Sequence, residues 1–238
     1  MYIHGSYFSK ILNRKKSYIA VLPDTFNDET RTLFLLHGIS SDETVWSLNV
    51  PLEQYALKYN TAFFCPSGEN SFYTDHADGE NYGEAIGKEF FEKMKVIYKL
   101  NFTHKKTEIA GFSMGGYGAV LLGLRYPELY CRIGAFSPAF VFYKKERKDP
   151  LYQHVFSKGD YGSENDCVKR YELLVEKGVA VPSIQFTCGD QDPLYEQTQI
   201  VIEKLKKIDS NADLDFLGQK GFHNFDLWNQ ALVRFLET

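Results

Sequence analysis

The chain has 238 residues, 44% of them hydrophobic and 24% charged, and 27 Lys and Arg against 31 Asp and Glu give a net charge of −4. A chain of this length buries roughly 70% of its unfolded surface, enough for one large core, and its composition excludes disordered, collagen-like and small disulfide-built classes. The acidic balance argues against nucleic acid or an anionic membrane as a non-specifically held partner.

The apolar runs at 33–36 and 119–122 are far shorter than a membrane span. The first 18 residues show no charged start followed by an apolar stretch, so the expected location is cytoplasmic. Strand-like segments begin with SYIAVL (17–22), TLFLL (32–36) and TAFFC (61–65). A polar, Gly-rich stretch follows at 66–83, and then Ile86, Phe90, Met94 and Ile97 recur at helical spacing. TEIAGF (107–112) and CRIGAF (131–136) read as further strands. Residues 138–163 combine Pro, aromatics and the basic cluster Lys144, Lys145, Arg147 and Lys148. The cluster reads as a solvated face, and the stretch as a small insertion over the site within one domain spanning 1–238. SIQFTC (183–188) and DLDFL (213–217) complete the strands. Helices are expected around Leu194, Val201, Leu205 and Ile208, and around Phe225, Trp228, Leu232 and Phe235. Several strands are apolar on both faces, as buried parallel strands are. The alternation predicts an α/β fold, a mostly parallel sheet with helices on both sides.

Cys65, Cys131, Cys167 and Cys188 form no C-x-x-C pair, and none stands near a His at ligand spacing. They read as small apolar thiols, and no metal site is expected.

Chemistry concentrates at Gly111-Phe112-Ser113-Met114-Gly115, which fits Gly-x-Ser-x-Gly. Its context gives the pattern force. A strand enters the turn and a helix leaves it, so the serine hydroxyl is held clear of the sheet on a strained backbone. The helix start then aims its dipole and free N–H groups at a developing anion. An activated serine needs a base, and the base an orienting acid. In strand–Ser–helix hydrolases the acid and then the histidine follow the serine in the chain. Of the six histidines only His154 and His223 follow Ser113, and His154 precedes the late strands. His223, between the last strand and the last helix, is the expected base. The acid should follow SIQFTC, where Asp190 and Asp192 both stand. Asp192 is preferred, although Asp-Pro also suits a helix N-cap; Asp213 and Asp215 fall within the next strand. The oxyanion requires two backbone N–H groups. Met114, after the serine, and Ile39, in the His37-Gly38-Ile39-Ser40 turn, are the candidates, with His37 shaping that turn.

Aromatics crowd the expected loops: Trp46, Phe72, Tyr73, Tyr117, Phe140, Phe142, Tyr143 and Trp228. Trp46 and Tyr117 are candidates for substrate contact with a sugar or aryl group, and core packing is the competing role.

The stretches LFLLHGISSDETVW, CPSGENSFYTDHADGENYGEAIGKEF, IAGFSMGGYGAV, FSPAF, TCGDQDPLY and GFHNFDLW resemble the esterase D-like group of α/β-hydrolases, and within it the bacterial tributyrin esterases. The resemblance runs from about residue 7 to the end. It implies a cofactor-free serine carboxylesterase acting on short acyl chains, with an eight-stranded sheet, a small-molecule ester as its partner and no metal. The family triad falls on Ser113, Asp192 and His223, and the oxyanion donors on Ile39 and Met114. S-formylglutathione hydrolases of the wider group usually carry a Cys-containing loop after the early His-Gly, where this chain has ISSDETVW. The same group holds feruloyl and acetylxylan esterases and mycolyl-type acyltransferases. A carbohydrate esterase and a catalytically silent binding module therefore stand as alternatives, and a homo-oligomer is left open.

Overall fold

Burial along β3 (Arg31–Leu36) shows how the layers are built. Leu33 and Leu35 belong to one apolar cluster and Phe34 and Leu36 to another, all four being inaccessible or nearly so. Alternate side chains of an extended strand leave on opposite faces, so both faces of this strand are covered. The computed structural model describes residues 1–100, 102–143 and 149–238; Lys144, Lys145, Arg147 and Lys148 lie outside the described residues.

The strands are β1 (Tyr2–Ser9), β2 (Arg14–Val21), β3, β4 (Thr61–Pro66), β5 (Thr107–Phe112), β6 (Arg132–Phe136), β7 (Ser183–Gly189) and β8 (Leu214–Gln219). They form one sheet ordered β1-β2-β4-β3-β5-β6-β7-β8. β3 to β8 are parallel, while β2 pairs antiparallel with both β1 and β4. β1 is not among the expected strands. It is an edge hairpin arm of mixed polarity in which only Tyr7 and Ser9 are buried, so it presents no apolar run to read.

On one face lie α1 (Val45–Asn49) and α2 (Leu52–Lys58). On the other lie α3 (Tyr82–Glu84), α4 (Phe90–Tyr98), α5 (Met114–Arg125), α6 (Pro150–Val155), α7 (Cys167–Glu176) and α8 (Tyr195–Ile208). α9 (Phe225–Glu237) returns to the first face. A single π turn, Ala85–Glu89, joins α3 to α4. Ile86, Phe90 and Met94 point inward as expected, but Ile97, in the last turn of α4, is 45% exposed. α5 is buried through almost its whole length, as suits a helix apolar on all sides. The four cysteines are free thiols; Cys65, Cys167 and Cys188 are buried and Cys131 is half-buried. Among the described residues no helix is long and apolar enough to cross a membrane.

The end of the sheet away from Ser113 is closed by ions. Glu108, at the start of β5, accepts from Arg31 at 2.8 Å and from Arg132 at 3.0 Å. Both arginines also donate to carbonyls at the end of α9. One buried carboxylate thus ties β3, β5, β6 and α9 together. Glu108→Ala leaves two guanidinium groups without their counter-ion, and a cost of about 3 kcal/mol is expected. Urea unfolding would show it as a lower midpoint, with turnover per folded molecule unchanged.

Candidate active site

β5 carries the chain into Ser113 at φ 55° and ψ −119°. A non-glycine residue held there costs about 1–3 kcal/mol and persists only where its surroundings fix it. Here the Ser113 N–H donates to the Phe136 carbonyl at 2.9 Å, and its own carbonyl accepts from Ala139 at 2.9 Å. α5 then starts hard against the end of β3. A Cβ on Gly115 would sit 2.4 Å from the Leu36 carbonyl oxygen, so no larger residue lets the turn close this way.

His223 follows β8 and directly precedes Asn224, whose side chain caps α9 by accepting from Leu227. Its Nε2 lies 3.1 Å from Ser113 Oγ and its Nδ1 lies 2.8 Å from Asp192 Oδ2. Asp192 Oδ1 meanwhile accepts from the Leu194 N–H at 2.8 Å, so one carboxylate serves both the imidazole and the turn into α8. A carboxylate only accepts, which places the proton on Nδ1 and leaves the Nε2 lone pair facing the serine hydroxyl. The Asp192 side chain is fully inaccessible. Burial pushes its pKa up, but hydrogen bonds from His223, Ser137 and Leu194 outweigh burial and hold it below the ordinary carboxylate range. A depressed folded-state value means stability that is present above the unfolded pKa of about 3.9 and is lost as pH falls below it.

Asp190 is exposed and points elsewhere. Its carboxylate accepts from the Gly221 N–H at 3.2 Å and its own N–H donates to Gln219. It braces the histidine loop without reaching the imidazole. The two loops meet backbone to backbone, since a Cβ on Gly189 would lie 2.2 Å from the Gly221 oxygen.

Ser137 is the residue that the sequence reading missed. It follows β6 in a left-handed conformation (φ 45°). Its hydroxyl accepts from Trp228 Nε1 at 3.1 Å and stands close enough to the Asp192 carboxylate to help hold its pKa down. Trp228 also stands edge-on to the His223 ring at 4.9 Å and stacks on Phe112 at 4.1 Å, fixing the imidazole plane from beneath. Its sequence signals are its place immediately after a parallel strand and its membership of the FSPAF stretch, neither of which gives the direction of its hydroxyl.

Among the described residues no group accepts from the N–H of Ile39 or of Met114. The loop bearing Ile39 is held by His37, whose Nδ1 donates to the Gly38 carbonyl at 2.8 Å and whose Nε2 accepts from the Gly68 N–H at 2.8 Å. Burial lowers the His37 pKa, which keeps this bridging ring neutral. Tyr73 Oη adds a hydrogen bond to the His37 carbonyl at 2.9 Å.

Trp46 and Tyr117 require correction as substrate contacts. Both are wholly inaccessible. Trp46 donates to the Leu36 carbonyl at 3.0 Å and packs on Phe112 and Phe225. Tyr117 donates to the Asn165 carbonyl at 2.7 Å within a nest of Phe72, Phe140, Phe142 and Phe156. α1 and α5 turn these rings inward, and neither has surface to offer a ligand.

A family model described as "Putative esterase" matches residues 9–237. The chain is 29% identical to an acetyl esterase of Caldicellulosiruptor saccharolyticus, over 98% of this chain and 95% of that one. Among solved structures it resembles a fluorophosphonate-binding serine hydrolase of Staphylococcus aureus, with 27% identity and a TM-score of 0.89 over 100% of this chain and 97% of the other. It also resembles an S-formylglutathione hydrolase of the same organism, with 28% identity and a TM-score of 0.87 over the same shares.

Proposed function

The chain belongs to the Esterase family, an ester-hydrolysing enzyme on an α/β-hydrolase fold, and from that premise we propose that it is a serine carboxylesterase for short acyl groups, working through Ser113, His223 and Asp192. The observation that carries this reading is the hydrogen-bonded chain from Ser113 Oγ through the imidazole to Asp192 Oδ2.

Ser113 Oγ attacks the acyl carbonyl carbon while His223 Nε2 takes the hydroxyl proton. Asp192 holds the imidazole tautomer and stabilises the imidazolium without itself being protonated. The carbonyl oxygen becomes an anion received by the N–H groups of Ile39 and Met114, each contributing roughly 3 kcal/mol of barrier lowering. The intermediate collapses, the C–O bond to the alcohol breaks, and His223 returns its proton to the leaving oxygen. Water, deprotonated by the same imidazole, attacks the acyl-enzyme and releases the acid and Ser113.

Two observations favour a small acyl group over an aryl one. One is the acetyl esterase relative. The other is the burial of the loop aromatics: Phe72, Tyr73, Tyr117 and Phe140 are at most 1% exposed, so these rings form no open stacking platform. A panel of p-nitrophenyl esters from acetate to octanoate, with methyl ferulate, acetylated xylo-oligosaccharide and S-formylglutathione alongside, tests the reading. The expected result is highest kcat/KM at two to four acyl carbons and at least about a tenfold fall by eight, from crowding at the acyl site. A preference for octanoate or ferulate by a similar margin would overturn the short-acyl assignment, whereas a preference for acetylated sugar or S-formylglutathione would keep the short acyl group and identify the alcohol or thiol it leaves.

A further inference from the structure

A second cluster of ligating side chains lies in the loop before α3, apart from the serine. The chain doubles back there: the His76 N–H donates to Glu80 and the Gly79 N–H to His76, with Asp75 bridged to Asn81. α6 docks on this turn. Thr74 Oγ1 bonds the Val155 carbonyl, Ala77 N–H donates to Ser157 Oγ at 2.9 Å, and Lys158 Nζ donates to Asn81 Oδ1 at 3.1 Å. His76 and Asp78 from the turn thereby meet His154 from α6. One donor atom of each lies within 4.8 Å of the others.

His76 gives the cluster its meaning. It is 2% exposed. Its Nε2 faces the Ser71 carbonyl at 3.0 Å, and a carbonyl only accepts, so Nε2 carries the proton. Nδ1 is then a bare lone pair, and it is buried with no hydrogen-bond partner among the described residues. A ring nitrogen left free while the other donates to a backbone carbonyl is how metal-binding histidines are oriented. The His154 ring stands edge-on at 4.8 Å, its Nε2 lies 3.7 Å from Asp78 Oδ2, and both histidines line one cleft of about 200 Å³ with Glu80 and Tyr82.

We propose that His76, Asp78 and His154 form a zinc-binding site that clamps α6 to the 71–82 loop. Two imidazoles and one carboxylate suit Zn²⁺ and not Mg²⁺ or Ca²⁺, which take oxygen ligands. Tetrahedral Zn²⁺ sets its donors about 3.4 Å apart. The Asp78 and His154 side chains are about half exposed, so side-chain rotation closes the remaining ångström or so. Water completes the fourth position, because Glu80 is engaged by Arg14.

The test is Zn²⁺ content by mass spectrometry after equilibrium dialysis, together with thermal unfolding. The wild-type chain is expected to retain one Zn²⁺ and to melt higher with it. His154→Ala and Asp78→Asn, both at exposed positions, are expected to weaken Zn²⁺ at least tenfold and to lose the shift, with zinc-free ester turnover unchanged. Failure of the wild type to take up one equivalent overturns the site, as does uptake that neither variant weakens.

Discussion

Ser113→Ala is expected to lower kcat on a short-chain ester by at least about 10³-fold while leaving the circular dichroism and melting temperature near those of the wild type. The expected loss is large because in the proposed mechanism one atom, Oγ, is the nucleophile, and it is also the partner of His223 Nε2. Once it is gone, the imidazole and the two N–H donors have no covalent step to assist. The fold is expected to survive, because Ser113 is held through its backbone, by Phe136 and Ala139, and alanine keeps both contacts. A fluorophosphonate probe should label the wild type and not the variant. Near-normal hydrolysis by Ser113→Ala would remove the mechanism, whatever the labelling.

Asp192→Asn is expected to cost about 10⁴-fold in kcat, whereas Asp190→Asn should stay within a few-fold. An amide facing His223 Nδ1 presents its own N–H there and favours the tautomer that carries the proton on Nε2. That ring has no lone pair for the serine hydroxyl. Among the described residues the Asp190 carboxylate accepts from backbone of the histidine loop, the Gly221 N–H, which an amide oxygen can still bond. A second readout belongs to the same variant. The Asp192 carboxylate is held below the ordinary range, so its share of stability vanishes in acid. The gap in urea midpoint between wild type and Asp192→Asn should therefore shrink below about pH 4. If Asp190→Asn alone cripples a folded enzyme, the acid has been misassigned.

How much could be read beforehand depended on the kind of signal each residue leaves. Ser113 was legible because a local pattern sits between an unambiguous strand and helix. His223 was legible because chain order left only one histidine after the late strands. Asp192 and Asp190 stand two positions apart, and no spacing rule separates them. Depth does, since Asp192 is sealed beneath the loop and Asp190 is not. Depth also decided Trp46 and Tyr117, where composition gives the ring but not the direction in which α1 or α5 turns it. β1 escaped because its burial alternates but its polarity does not: Gly5 and Ser9 stand at inward positions while Tyr2 and Phe8 face out. Ser137 escaped because FSPAF gives its place after β6 but not what its hydroxyl faces. His76 and His154 were unreadable as a pair, since only the docking of α6 brings them together.

The site draws one residue from beyond the carboxyl end of each of β5, β6, β7 and β8, which lie side by side: Ser113, Ser137, Asp192 and His223. Reactivity is thus inherited across half a sheet and cannot travel as a cassette. A chimera joined to a relative between residues 113 and 223 mixes parents within the relay, so its success depends on matched loop heights. A crossover ahead of β5 leaves the relay to one parent and exchanges the turn bearing Ile39. Recombination there offers a route to new substrate preferences without rebuilding the chemistry.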